Sequence, residues 1–410
     1  MLKDIRRPTQ AVILAGGRGV RLRPLTETRP KPMIEFHGKP FLEYLITLLR
    51  HEGFERVLLL LGYLPEVIER HFGDGSRWGI KIDYSVTEVA DSTGRRLQLA
   101  EDRLDPCFLL MYADNYLPLN MDAMWRRFVS IGAPAMLTVY RNTDNYTRSN
   151  VAVGEDGLIA AYDKDRRAPG LQGVELGFTI LHRSVMNLMP PENVSFMEEV
   201  YPRLVERRQL GAYVTDHRYY SVGSLERLPT TAAFLERRPA VILDRDGVLN
   251  RKAPKAQYVR NWAEWEWLPG AKEALRLFKE ARYRVVLVSN QAGIARGAMT
   301  EADLAAIHDR MMSEARAAGG DIDVIYHCPH NWDSGCECRK PRPGMLFKAQ
   351  RDLDLDLSRT PFIGDDERDG QAAEAAGCPF LRADEQAPLI DIARRLTEGG
   401  SRQTAAARSL

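Results

Sequence analysis

The chain predicts an α/β protein built from two Rossmann-like, three-layer domains. Three observations carry this. Short apolar runs alternate with amphipathic stretches along the 410 residues, the pattern of parallel strands crossed by helices. Two of those runs end in motifs suited to phosphate chemistry, AVILAGGRGV from Ala11 and VILDRDGVLN from Val241. The length also exceeds what a single core usually serves, so two or three domains are expected.

Composition bounds the function. Apolar content of 44% and charged content of 28% are those of a soluble globular protein. A formal charge of +1 gives no general attraction to nucleic acid or to a membrane, so anion binding must be local. MLKDIRRPTQ lacks the apolar core of a signal peptide, and no run reaches transmembrane length. A cytoplasmic protein is expected. Five cysteines, three of them in one short segment with a histidine, fit a reducing compartment.

The strand at Ala11 to Ala15 runs into Gly16, Gly17 and Gly19, where backbone without Cβ can turn tightly and aim its N–H groups at phosphate. Arg21 and Lys31 add positive charge, and Pro30 and Pro32 stiffen the segment that holds the lysine. Further strands are expected at Arg56 to Leu61, Ile80 to Val86, Pro106 to Tyr112 and Pro134 to Val139, with a helix over Phe41 to Glu52. That alternation predicts a parallel sheet covered on both faces.

The string GGxGxRLxPLTxxxPKP, followed by Gly62, Tyr63, HFGDGSRWGIKIDYS and the acidic turn at Asp114, resembles the sugar-1-phosphate nucleotidyltransferases over Thr9 to Leu235. The resemblance implies a nucleoside triphosphate as substrate, bound at Ala15, Gly16, Gly17, Gly19, Arg21 and Lys31. It makes Asp114 a magnesium ligand, sets Lys164 against the sugar phosphate, and places Glu175 and Gly177 in the sugar pocket. Metal is the expected aid, because nucleotidyl transfer develops negative charge on phosphoryl oxygens. Two segments depart from the family. Ser221 stands where a second metal-binding Asp is usual, so either Asp114 and the triphosphate suffice, Asp216 substitutes, or the domain has lost activity. DSTGRR, Asp91 to Arg96, replaces the family's LGT segment and leaves the base open.

Arg227 to Pro239 reads as a terminal helix stopped by a proline, placing the boundary near Arg238, with domains at 9–238 and 239–397 and a frayed tail at 398–410. After it, VILDRDGVLN reads as a buried strand ending in Asp244 and Asp246, whose period-two spacing puts both on one side of the strand end. A helix is expected from Pro269 to Ala281, then the strand RVVLVSN ending at Ser289 and Asn290. CRKPRPGM around Lys340 follows, and a last strand leads to Gly364, Asp365 and Asp366. Between the third strand and Lys340, Cys328, His330, Cys336 and Cys338 supply three thiolates and an imidazole. This set suits tetrahedral zinc with no open position, which would pin the loop bearing Arg339 and Lys340. Cys107 and Cys378 lie in or beside apolar strands, where packing is the default.

Carboxylate pair, hydroxyl, lysine and acidic turn, in that order, resemble the haloacid dehalogenase superfamily of phosphatases over Ala240 to Leu396. The resemblance implies that Asp244 attacks phosphorus and Asp246 acts as acid and then base. Ser289 and Lys340 would stabilise the phosphoryl group, Asn290 and Arg339 would meet substrate, and magnesium would be held by Asp244, the backbone carbonyl of Asp246, and Asp365. LDRDGVLN, SNQAGIARG, the zinc loop and CRKPRPGM look like the D-glycero-D-manno-heptose 1,7-bisphosphate phosphatases. The gap between His330 and Cys336 resembles the histidinol-phosphate phosphatases as much. The pairing of domains favours heptose: a bisphosphate loses its 7-phosphate, then the 1-phosphate receives a nucleotidyl group, guanylyl from GTP by analogy. The expectation is therefore a bifunctional enzyme of nucleotide-activated heptose synthesis using Mg²⁺ and Zn²⁺, of open oligomeric state. The alternative is an active phosphatase with a catalytically impaired binding or oligomerisation domain.

Overall fold

The computed structural model describes residues 5–236, 238–254 and 257–406, with side chains to residue 398. The chain divides into two compact units, Met1–Glu236 and Arg237–Leu410.

The first unit is built on a seven-stranded sheet. Its spatial order is Leu210–Thr215, Ala135–Tyr140, Val174–His182, Cys107–Tyr112, Gln10–Leu14, Arg56–Leu61, Lys81–Val86. Alternation along each strand splits the apolar side chains between two cores. Ala11, Ile13, Leu59 and Leu61 pack with the helix Phe41–His51 on one face, while Val12, Leu14, Leu58 and Leu60 pack with the helix Phe196–Glu206 on the other. Pro106 and Pro134 sit just ahead of their strands rather than inside them, because proline has no N–H to give the ladder. The expected all-parallel sheet carries one reversed strand, Val174–His182, antiparallel to both neighbours. Residues 141–173 explain it. They form the hairpin Val151–Val153 and Ile159–Tyr162 with no helix, so no crossover returns the chain to the far end of the sheet.

The second unit has a five-stranded, wholly parallel sheet in the order Val324–Cys328, Arg284–Asn290, Ala240–Leu243, Phe362–Gly364, Phe380–Arg382. The central strand is buried on both faces, with Val241 and Leu243 in one core and Ala240 and Ile242 in the other. That is why it reads as a continuous apolar run. The helix Ala271–Glu280 lies within its predicted span. The stretch read as a tail largely continues the helix Leu389–Ala406, and residues 407–410 lie outside the described residues. Among the described residues no helix is long and apolar enough to cross a membrane.

Candidate active sites in the two units

In the second unit the carboxyl ends of the central strands bring distant motifs together. Asp244 follows the strand Ala240–Leu243 directly, its N–H donating to the carbonyl of Ile363 at 2.9 Å, and it is 7% exposed. Lys340, 3% exposed, places Nζ 2.8 Å from Asp244 Oδ1 and 2.7 Å from Asp369 Oδ1. Two buried carboxylates thus share one ammonium. Burial, opposed by Lys340 and reinforced by Asp369, pushes the Asp244 carboxyl up to about 7. Burial alone would lower Lys340, but the two carboxylates outweigh it and raise it. The lysine therefore stays charged, and the cluster is short of positive charge.

A cation fits that deficit. Ligand atoms of Asp244, Asp365 and Asp369 lie within 4.8 Å of one another, and Oδ1 of Asp365 is buried with no hydrogen-bond partner. Asp369 is the member that sequence reasoning missed. It sits in the first turn of the helix Glu367–Ala376, closing a capping box with Asp366, and the available signal was its spacing of four residues from Asp365. The carboxylate of Asp246 does not join this group; Arg245, Asn250 and Gln291 bind it instead. Those contacts outweigh burial and hold its carboxyl below the usual range. Gly247 is required at this turn: its φ is +95°, and a Cβ there would collide with the Asp365 carboxylate.

Other expected contacts are placed differently. Asn290 spends its side-chain amide on the Lys340 backbone, donating to its carbonyl at 3.0 Å and accepting its N–H at 3.1 Å, so it seats the lysine loop. Ser289 Oγ accepts from Gln291 Nε2 at 2.7 Å. Arg339 donates to the carbonyl of His330 at 3.3 Å, and Asp366 caps its helix and pairs with Arg368. Lys252 Nζ lies 2.9 Å from Asp365 Oδ2.

The loop cysteines converge as a metal set. Cys328 Sγ is 3.6 Å from His330 Nδ1 and 3.7 Å from Cys336 Sγ, and Cys338 Sγ is 3.2 Å from His330 Nδ1 and 3.3 Å from Cys328 Sγ. Tetrahedral zinc with thiolates at about 2.3 Å needs ligand separations of about 3.8 Å, so a small expansion accommodates the ion. Cys328 ends the strand Val324–Cys328 and the other three lie on the loop that follows, so a metal held by all four would tie that loop to the sheet.

In the first unit, Arg21, Asp114, Lys164, Glu175, Gly177 and Ser221 line one cavity of about 500 Å³. Lys31 Nζ contacts Asp114 Oδ2 at 2.6 Å, and burial of Asp114 is outweighed by Lys31 and Arg21, which lower its pKa. Lys164 is paired with Glu198, both half exposed, a contact that is worth little. Ser221 pairs with Asn115 across a short ladder, Val222 N–H donates to the carbonyl of Asp114 at 2.9 Å, and Ser221 Oγ accepts from Gly223 N–H. Asp216, considered as a substitute ligand, pairs with Arg141 at 3.2 Å and is not among the residues lining the cavity.

The glycine turn packs from below on a residue outside the expected set. Arg96, 3% exposed, donates to the carbonyls of Leu61 and Glu88, and a Cβ at Gly16 would lie 2.5 Å from its Cζ. Gly16 is therefore a close-approach glycine, while Gly17 faces open space and Gly19 takes φ +62°.

Glu175 is 8% exposed, and burial, with a contribution from Asp114, raises its carboxyl to about 7. A carboxyl raised from 4.5 in the folded state costs stability as pH climbs through that window, because the unfolded chain releases its proton first. Glu175→Gln is expected to remove this loss. Melting of the first unit in the parent chain should fall relative to the variant between about pH 5 and pH 7, and parallel curves would refute it.

Comparisons with known proteins agree with this division. Residues 10–237 match the model of the nucleotidyl transferase family, and residues 240–380 match that of the polynucleotide kinase 3 phosphatases. The D-glycero-β-D-manno-heptose-1,7-bisphosphate 7-phosphatase of Bordetella bronchiseptica is 46% identical over 142 residues, covering 34% of this chain and 78% of the relative. The D-glycero-α-D-manno-heptose-1,7-bisphosphate 7-phosphatase of Campylobacter jejuni is 44% identical over 133 residues, covering 32% and 74%. A crystal structure of the B. bronchiseptica phosphatase complexed with magnesium and phosphate is 38% identical, covers 39% of this chain and 99% of its own, and has a TM-score of 0.37. The chain belongs to the nucleotidyl transferase family through residues 10–237 and, through its second unit, to the family of the D-glycero-D-manno-heptose-1,7-bisphosphate 7-phosphatases.

Proposed function

We propose that the chain is a bifunctional enzyme of nucleotide-activated heptose synthesis, working in the cytoplasm. The second unit removes the 7-phosphate of D-glycero-D-manno-heptose 1,7-bisphosphate, and the first transfers a guanylyl group from GTP to the heptose 1-phosphate. The observation that carries this reading is a domain 46% identical to a heptose bisphosphatase on the same chain as a nucleotidyl transferase domain.

In the phosphatase half, Asp244 attacks phosphorus and becomes an aspartyl phosphate. Asp246, held ionised without substrate by Arg245, Asn250 and Gln291, takes up a proton as the negative charge of the phosphate arrives beside it, gives that proton to the departing sugar oxygen and later takes one from water. Ser289 and Lys340 hold the phosphoryl oxygens as charge develops. Magnesium, when held by Asp244, Asp365 and Asp369, supplies screening between the carboxylate nucleophile and the phosphate dianion. Zinc, when held by Cys328, His330, Cys336 and Cys338, fixes the loop that carries Arg339 and Lys340.

In the transferase half, the turn from Ala15 to Gly19 with Arg21 and Lys31 receives the triphosphate. Asp114 holds its magnesium, and Lys164, Glu175 and Gly177 receive the sugar phosphate. The test combines heptose 1,7-bisphosphate with each nucleoside triphosphate in turn. Phosphate release should precede pyrophosphate release, and the product should be a GDP-heptose. Absence of pyrophosphate with every triphosphate would remove the transferase half.

Ser221 favours a second reading, in which the first unit binds sugar phosphate or nucleotide without transferring. Its hydroxyl is engaged by Gly223 and it brings no charge to the side of Asp114. Asp114→Asn decides between them. The first reading expects transfer to fall on the order of 10²–10³-fold with phosphate release unchanged. Transfer that persists undiminished would instead refute the metal role of Asp114.

A further inference from the structure

Arg245 lies between the two carboxylates of the DRD motif, and its side chain points away from solvent. It is 1% exposed, with its guanidinium 5.8 Å from the Trp265 ring centroid. Its carbonyl accepts the N–H groups of Leu249 and Asn250, so the main chain is tied to the following turn. From this fixed base the guanidinium meets Asp246, with Nη2 3.0 Å from Oδ1 and 2.9 Å from Oδ2, and Nε 3.2 Å from Oδ2. Asn250 Nδ2 reaches only Oδ1, at 2.9 Å, and Gln291 Nε2 only Oδ2, at 3.0 Å. Each neutral amide leaves the carboxylate free to pivot about one oxygen. A planar fork on both oxygens fixes its plane. Burying a guanidinium so fully is a poor way to gain stability, which points to a role in geometry.

We propose that Arg245 is the positioning residue of the phosphatase reaction, orienting the Asp246 carboxyl toward the leaving-group oxygen. The proposal rests on the acid role assigned to Asp246. In the step concerned, the bond from Asp244 Oδ to phosphorus forms, the phosphorus–oxygen bond to the sugar breaks, and the electron pair left on the sugar oxygen takes the proton from the Asp246 carboxyl. The reverse proton transfer, from water, accompanies hydrolysis of the aspartyl phosphate.

The test uses the full chain with magnesium and two phosphate monoesters. From heptose 1,7-bisphosphate the sugar departs through an alkoxide oxygen that needs the proton, whereas p-nitrophenyl phosphate releases a stable phenolate that does not. Arg245→Met is expected to lower kcat on the heptose substrate about 10²-fold with KM nearly unchanged, and kcat on the phenyl ester by less than about fivefold. Arg245→Lys, which keeps charge but not the fork, should show the same split at smaller size and serves if the methionine variant does not fold. Asp246→Asn is the control. If it shows the split and neither arginine variant does, or if the arginine variants lose both substrates equally, the positioning role is overturned. If Asp246→Asn shows no split, the acid assignment itself fails and the proposal falls with it.

Discussion

Asp244→Asn is expected to abolish phosphate-monoester hydrolysis while leaving the second unit at least as heat-stable as the parent. The rate should fall on the order of 10⁴-fold or more, since the covalent route disappears with its nucleophile. The stability expectation follows from charge. Asp244 and Asp369 crowd one ammonium, and the Asp244 carboxyl is raised from 3.8 to about 7, chiefly by burial. A carboxyl whose folded pKa is raised is neutral for stability near pH 4 and costs progressively more as pH rises toward 7, because the unfolded chain ionises first. Asparagine has no such cost, so the variant's advantage in chelator should be absent near pH 4 and largest at neutrality. Lys340→Met is the contrast. It removes the one ammonium shared by two buried carboxylates and should destabilise by about 3–5 kcal/mol. Melting curves with phosphate release measure both, and an asparagine variant that melts well below the parent at pH 7 would contradict the charge argument.

Loss of metal from the cysteine loop is the second large effect. The parent chain is expected to carry about one zinc per chain, and chelation or Cys338→Ser should remove it. Zinc binding in small peptides is worth about 10–16 kcal/mol, but here the loop rests on a unit with its own two cores. The expected cost is several kcal/mol, or on the order of 10 °C in the melting of the second unit. Phosphatase activity should fall with it, since Arg339 and Lys340 directly follow the last ligand and Arg339 donates to the carbonyl of His330. Metal analysis that finds no zinc, with unchanged melting in chelator, would refute the assignment.

Much of both sites could be read in chain order because the motifs sit where strands end. A buried strand needs an apolar run, so AVILA and VIL announce themselves, and in an open α/β sheet the residues just past such runs face the ligand. Asp244 and Lys340 are nearly a hundred residues apart, yet both lie beyond strand ends and meet at 2.8 Å. The candidate metal set was equally plain, three cysteines and a histidine close together in a chain with five cysteines.

Partners chosen by packing were not legible. Asp369 enters the acidic group because a helix begins there and turns its first residues back on Asp365, and in sequence it is one acidic residue in a charged stretch. Arg96 looked like part of an altered loop, yet it is buried under Gly16. Asp216 seemed able to replace the charge missing at Ser221, but Arg141 holds it elsewhere. The reversed strand Val174–His182 depended on the absence of a crossover helix rather than on its own residues.

Residue order alone was enough for the two-domain α/β plan and for picking out two candidate phosphate motifs and a candidate metal set, because each is written in neighbouring residues. Which carboxylates share Lys340, which residue cages Asp246, and which glycine must make room for a buried arginine were decided only on folding. Those choices balance burial of charge against the nearest available partner, and that partner is supplied by packing of distant elements.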